Sequence, residues 1–429
     1  MIFARGDWPG PLYPSSGNHV LNTLLSRWSV ACFGLSELSL RVPAILGAAL
    51  YISASYSLCR LISSRLLLQA PLFISLVYNP FVMDYLTTAR GYSLALGLLI
   101  TAIGIVAQAM LGNRPRLLRQ CTIASACVGL SFTANFSFAF VDLAVISLFC
   151  VWIMRHRGQE KPAAIITACA LPGLLAALLI CGYTLWHWPP GQLFAGATSL
   201  SEMFHSVVAD SFDGTENRRW LQDMKATFAA VAVLLIPVLA LDLHGRRRTF
   251  FKYTAAVLLT ALTLHWAAFQ TVHLPLPKDR TAVFLAPLIT LLFGTALAAR
   301  LRVTGWLTLA TASLWFLSCL RLGYFKEWRY NSDSRQLYQV LHEVNQRCGV
   351  KRVVTAWFYV AALNFYRARF HDEDLDEFIA TAPPFKGGQP VYVLYFPDSK
   401  NFIKEQRLKM IYYSTVTQAV IAVGNCPLF

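Results

Sequence analysis

Asp84 and Arg90 stand close together in NPFVMDYLTTARGYSL (79–94), a short polar break between two apolar runs. Keeping charge beside a membrane span is costly, so an acid and an arginine there mark a candidate functional site. A second charged group, Lys278, Asp279 and Arg280, falls in LPLPKDRTAVFLAPL (274–288), again between apolar runs. A third pair, Asn18 and His19, precedes the first helical stretch. Arginine offers a planar fork that matches phosphate oxygens, and a carboxylate or histidine can take a proton from an attacking group.

The elements that must carry them are membrane spans. The chain has 429 residues, 56% hydrophobic and 14% charged, with mean hydropathy +0.49, a composition foreign to water-soluble globules. Apolar runs long enough for a bilayer occur near 41–60, 66–83, 91–111, 121–137, 139–154, 163–186, 227–243, 253–271, 281–299 and 304–322, about ten transmembrane helices. Basic residues cluster at every second loop: Arg60 and Arg65; Arg114, Arg116 and Arg119; Arg155, Arg157 and Lys161; Arg246, Arg247, Arg248 and Lys252; Arg300 and Arg302. Those loops are expected to be cytoplasmic. The intervening loops, with Asp84, Arg90 and Lys278 to Arg280, then face outward, as does everything after Leu322. Much of the net charge of +15 is thus a topology signal, and no nucleic-acid partner is implied.

Three regions follow: an exported N-terminal segment at 1–40, a transmembrane domain at 41–324 and an exported α/β domain at 325–429. Between Asn18 and Phe33, Leu21, Leu24, Leu25, Trp28 and Cys32 recur at helical spacing, which predicts a helix lying in the interface; Arg27 would be costly in a span. An even number of spans with both ends outside, and no signal peptide before Gly17, gives the expectation of an incomplete start that lacks an initial helix.

Past the last span the sequence turns polar and aromatic. Leu337, Val340, Leu341 and Val344 form a helical stripe, and strands are expected at KRVVTAW, VYVLYF, MIYY and AVIAV. The acidic run HDEDLDE (371–377) reads as a solvated loop or helix start. Most of the ten cysteines lie in or beside spans as small apolar residues. Cys348 and Cys426 both belong to the exported region, where a disulfide is permitted, although sequence alone does not show that they meet. Asp210, Asp213 and Glu216 match no calcium-loop pattern, so a divalent cation is not expected there. The nearby Trp186, Trp188 and Trp220 fit an interfacial belt.

GNHVLNTLLSRWSVACFGLSELSLRVPAILGAALY, then NPFVMDYLTTARGYSLALG and later LPLPKDRTAVFLAPL, resemble the GT-C class of membrane glycosyltransferases, specifically the protein O-mannosyltransferase-like and aminoarabinose-transferase-like superfamily. The resemblance covers roughly 15–300. It implies a GT-C-like helical fold, a polyprenyl-phosphate-linked sugar as donor substrate, no firmly implied cofactor, and transfer to an acceptor (lipid, glycan or protein) at the outer face of a bacterial inner membrane, with membrane lipid as a further partner.

On that resemblance Arg90, Lys278 and Arg280 would hold the donor phosphate, whose negative charge grows as the sugar–phosphate bond breaks. The bland alternative is that they anchor spans to headgroups or pair with Asp84 and Asp279. Asp84 matches a second acidic position of the family and would position donor or acceptor; otherwise it fastens its loop to Arg90. His19 is the other catalytic candidate, with Asn18, Tyr92 and Asp279 in support, while Asn18 and His19 equally suit a helix cap. Glu37 and Arg41 read as a structural pair. The family's acid in the first exported loop is expected further upstream than Asp7, the one acid that loop holds here, which gives the expectation of a chain that is incomplete or inactive as given. Rival readings are a polytopic transporter or lipid flippase, for which no internal repeat is found, and a non-catalytic membrane scaffold.

Overall fold

The computed structural model describes residues 12–112, 116–156, 160–191, 196–212, 219–300, 302–321, 323–381, 385, 387–388 and 390–424. It divides into two compact units, a helical one up to Leu320 and a smaller one from Arg321 onward.

The helical unit opens with α1 (Val20–Phe33). Its apolar face is the outward one: Trp28 is 61% exposed, while Asn22, Thr23, Ser26 and Ser29 are buried against the protein. Gly34, at φ 74°, then turns the chain, and Ser36 and Ser39 cap each other's backbone N–H groups at 3.1 and 3.0 Å to start α2 (Glu37–Ile62).

The next apolar run is not one straight rod. It splits into α3 (Leu66–Val77) and α4 (Pro80–Leu86), bent by 58°. Asn79 causes the restart: its side chain accepts from the Phe81 N–H at 3.0 Å, and Pro80 suits the first helical position. There follow α5 (Tyr92–Leu111), α6 (Leu117–Ala134), α7 (Ala139–His156), α8 (Pro162–Trp186), α9 (Leu200–Ser211), α10 (Arg219–Ala240), α11 (Gly245–Val272), α12 (Leu285–Leu297) and α13 (Val303–Ser318). Among the described residues, eight helices are long and apolar enough to cross a membrane, nine if the bent pair counts as one span. α13, the last expected span, is an apolar helix of 16 residues.

Packing within this unit is set by close backbone approaches. α2 lies directly on α5 because Gly47 and Gly97 face each other: a Cβ on Gly47 would overlap the Ser93 backbone, and one on Gly97 would overlap the Gly47 carbonyl. Ser93 donates to the Ala44 carbonyl across the same seam at 2.6 Å. Small residues that let backbones touch are the usual way helices associate where lipid removes the hydrophobic driving force. α5 then packs on α6, α6 on α8, α7 on α11, α10 on α12, and α13 on α3.

The smaller unit holds α14 (Ser334–Cys348), β1 (Val354–Ala356), α15 (Trp357–Arg369), β2 (Ala380–Thr381), β3 (Val391–Tyr395), α16 (Phe396–Glu405), β4 (Lys409–Tyr413) and β5 (Ala419–Val423). The strands form one sheet in the order β2-β1-β3-β5-β4; β1 runs parallel to β2 and β3, and β5 antiparallel to β3 and β4. All four strand-like segments of the sequence are present, and β2 joins them. The acidic run is not wholly solvated: Asp372 is 8% exposed and accepts from Tyr338 Oη at 2.6 Å and His342 Nδ1 at 2.8 Å. Cys348 is disulfide-bonded, and Cys426 lies outside the described residues. Cys32, Cys59, Cys121, Cys127, Cys150, Cys169 and Cys181 are free thiols.

Candidate functional site

One end of the helical unit gathers the charged motifs. α4 delivers Asp84, 7% exposed, and the chain then turns sharply: Thr88 Oγ1 donates to the Asp84 carbonyl at 2.8 Å and Arg90 N–H to the Thr88 carbonyl at 2.7 Å. Arg90 follows, half-buried, and Gly91 opens α5. Gly91 is required by the crossing there. A Cβ on it would overlap the Ala134 carbonyl at the end of α6 and sit 2.8 Å from His19 Cβ. The ARGY block is therefore a close-contact motif as well as a charged one.

His19 is the point where three segments meet. Its Nδ1–H donates to the Ala134 carbonyl at 3.1 Å, which fixes the tautomer and leaves Nε2 with a lone pair. Its ring packs edge-on against Tyr92 at 5.0 Å, and Tyr92 in turn packs on Tyr85 at 4.9 Å. Burial, then the positive charge of Arg90, and further the charge of Arg280, lower the His19 pKa to about 3. His19 is thus held neutral by burial and by the charges of two arginines drawn from separate parts of the chain. Asn18, 1% exposed, braces the approach: its Nδ2 donates to the Tyr13 carbonyl at 2.9 Å and its Oδ1 accepts from Thr23 Oγ1 at 2.8 Å.

The three residues of the KDR segment make different contacts. Lys278 is committed to an ion pair with Glu202, Nζ to Oε1 at 2.7 Å. The hydrogen bond from Lys278, together with those from Thr198, lowers the Glu202 carboxyl to about 2. Glu202 sits in the first turn of α9, where Ser199 caps its N–H at 3.1 Å. Asp279, at φ 48°, starts a short 3₁₀ turn (Asp279–Ala282), and its N–H donates to Ser206 Oγ at 3.1 Å. A two-strand bridge between Ala197 and Leu276 holds the two loops together. Arg280 is exposed and makes no ion pair among the described residues.

Glu202 and the Ala134 carbonyl were missed by sequence reasoning. The Ser-x-x-Glu spacing at 199–202 is a helix-start signal that announces the position of Glu202; nothing local announces that a carbonyl faces His19. Two buried polar groups lie apart from this cluster. Asp142, in the first turn of α7, has both carboxylate oxygens without a hydrogen-bond partner among the described residues, and so have both ring nitrogens of His265. The described residues contain no group of three or more His, Cys, Asp or Glu arranged to hold a metal ion; Asp213 and Glu216 lie outside them.

No protein-family model matches the chain and no curated protein does. Solved structures similar to it include ArnT from Cupriavidus metallidurans bound to undecaprenyl phosphate, at 14% identity and TM-score 0.45, covering 100% of this chain and 92% of that one. The apo state of the same ArnT aligns at 14% identity and TM-score 0.36, over 98% of this chain and 90% of that one.

Proposed function

We propose that this integral membrane protein is a glycosyltransferase that moves a sugar from a polyprenyl-phosphate-linked donor to an acceptor at the outer face of a bacterial inner membrane. The observation that supports the reading is the buried His19, held by the Ala134 carbonyl and within reach of the charges of Arg90 and Arg280, in a chain whose GNH, ARGY and PKDR blocks resemble those of GT-C transferases.

Transfer breaks the bond between the anomeric carbon and a phosphate oxygen, whose electron pair stays with the polyprenyl phosphate. An acceptor oxygen or nitrogen forms the new bond to that carbon and gives up a proton. Arg90 and Arg280 bind the phosphate and stabilise its extra charge as the bond breaks, more strongly than in the ground state. Lys278, already satisfied by Glu202, braces the loop that presents Arg280. His19 is too weak a base near pH 7 to take the proton, since its pKa lies near 3. Its free Nε2 accepts a hydrogen bond and so orients the donor or acceptor, while Asp84 is the carboxylate suited to receive the proton.

The test uses purified protein in liposomes with a polyprenyl-phosphate sugar. Asp84→Asn is expected to lower the transfer rate by about 100-fold, the scale of general-base loss, with donor binding retained. A rate equal to that of the unsubstituted protein removes Asp84 from the mechanism.

A further inference from the structure

The C-terminal unit has its own candidate binding crevice. β1 and β3 are parallel neighbours, yet the chain leaves them in opposite directions: β1 leads through α15 to β2 on one side, and β3 leads through α16 to β4 on the far side. Open α/β sheets take ligands where connections diverge in this way, just beyond the carboxyl ends of the strands.

Aromatic rings crowd that position. Trp357 and Phe358 directly follow β1, and Tyr395 is the last residue of β3. Phe358 stacks on Tyr330 at 5.0 Å with 21° between planes and lies 5.5 Å from Tyr395. Trp357 packs on Phe358 at 4.0 Å but remains 63% exposed, an unfavourable place for a large aromatic unless something covers it.

Polar groups are interleaved with the rings. The Arg329 guanidinium sits 5.3 Å from the Tyr330 ring and interacts with the phenol oxygens of Tyr330 and Tyr395. Asp333 Oδ2 accepts from Tyr412 Oη and Thr417 Oγ1, both at 2.8 Å, whereas its Oδ1 is buried with no hydrogen-bond partner among the described residues. Tyr359 feels the charge of Asp333, Tyr395, Tyr330 and Arg329 together, so these groups form one cluster.

We propose that this crevice is a saccharide-binding site. A sugar ring has an apolar C–H face that stacks on an aromatic, and a rim of hydroxyls that donate to a carboxylate and accept from a guanidinium. A purely apolar partner leaves Arg329 desolvated and the buried Asp333 Oδ1 still without a donor, and a phosphate-rich one meets the Asp333 carboxylate. The site does not depend on the transfer reaction assigned to the helical unit.

The test places detergent-solubilised full-length protein on a printed glycan array, with polyprenyl phosphate binding measured in parallel. The expected result is retention on at least one glycan class, weakened on the order of tenfold by Trp357→Ala and restored within about threefold by Trp357→Phe, which keeps a stacking face. Polyprenyl phosphate binding stays unchanged in both variants, which separates failure of this site from failure of the membrane site. Retention of no glycan by the unsubstituted protein, or equal retention by Trp357→Ala, overturns the proposal.

Discussion

His19 shows how much a single side chain depends on its surroundings. In an unfolded chain it titrates near 6.5, and in the folded protein near 3, because burial and then Arg90 and Arg280 oppose a second proton. The folded state therefore gains nothing from protonation across that window while the unfolded state does, so stability is full above about pH 6.5 and falls as the pH drops toward 3. Thermal unfolding followed from pH 7.5 to pH 4 is expected to show a falling midpoint that His19→Gln flattens; parallel slopes for the two proteins contradict the assignment. Asn18, His19, Asp84 and Arg90 were legible as candidates because polar residues at a span boundary stand out against an apolar background. The split between Lys278 and Arg280 was not legible, since it depends on Glu202, a residue far away in sequence that reaches Lys278 only through folding.

At the scale of elements, the site exists because helices come closer than ordinary side chains allow. Gly91 lets the start of α5 touch the end of α6 and the chain before α1, and Gly47 with Gly97 seats α2 on α5. Gly91→Ala forces a Cβ into the Ala134 carbonyl and His19, so the expected cost is about 1–3 kcal/mol of stability together with weakened polyprenyl phosphate binding. Both are read by denaturation and ligand-binding assays on the purified protein, and unchanged values in both count against this packing. Helix positions were readable from apolar runs, and the four longer strands from their β-branched and aromatic content. The bend between α3 and α4 was hidden inside a continuous apolar run, although Asn79-Pro80 carries its signal in a capping side chain and a proline that suits a helix start. The two-residue β2 is too short to leave a pattern.

At the scale of the whole helical unit, the two kinds of loop sit at opposite ends. The basic loops meet one another: Arg246 donates to the Gly112 carbonyl at 2.9 Å, Arg247 to the Ala298 carbonyl at 3.1 Å, and Arg302 pairs with Asp242 at 2.7 Å. Gly112 closes α5, whereas Gly91 opens it, so His19, Arg90 and Arg280 occupy the other end. This separation repeats the alternation of charge read from the sequence and gives the unit one end rich in basic loops and one end built around two arginines and a neutral histidine. We propose that those two arginines hold a lipid-borne phosphate. Titration of the purified protein with polyprenyl phosphate, by native mass spectrometry or calorimetry, tests it most directly. Arg90→Ala and Arg280→Ala should each weaken binding by about 10- to 100-fold, the worth of a charge-assisted hydrogen bond, while Lys278→Met should change it by less than about threefold. Affinities indistinguishable from the unsubstituted protein in both arginine variants contradict the account.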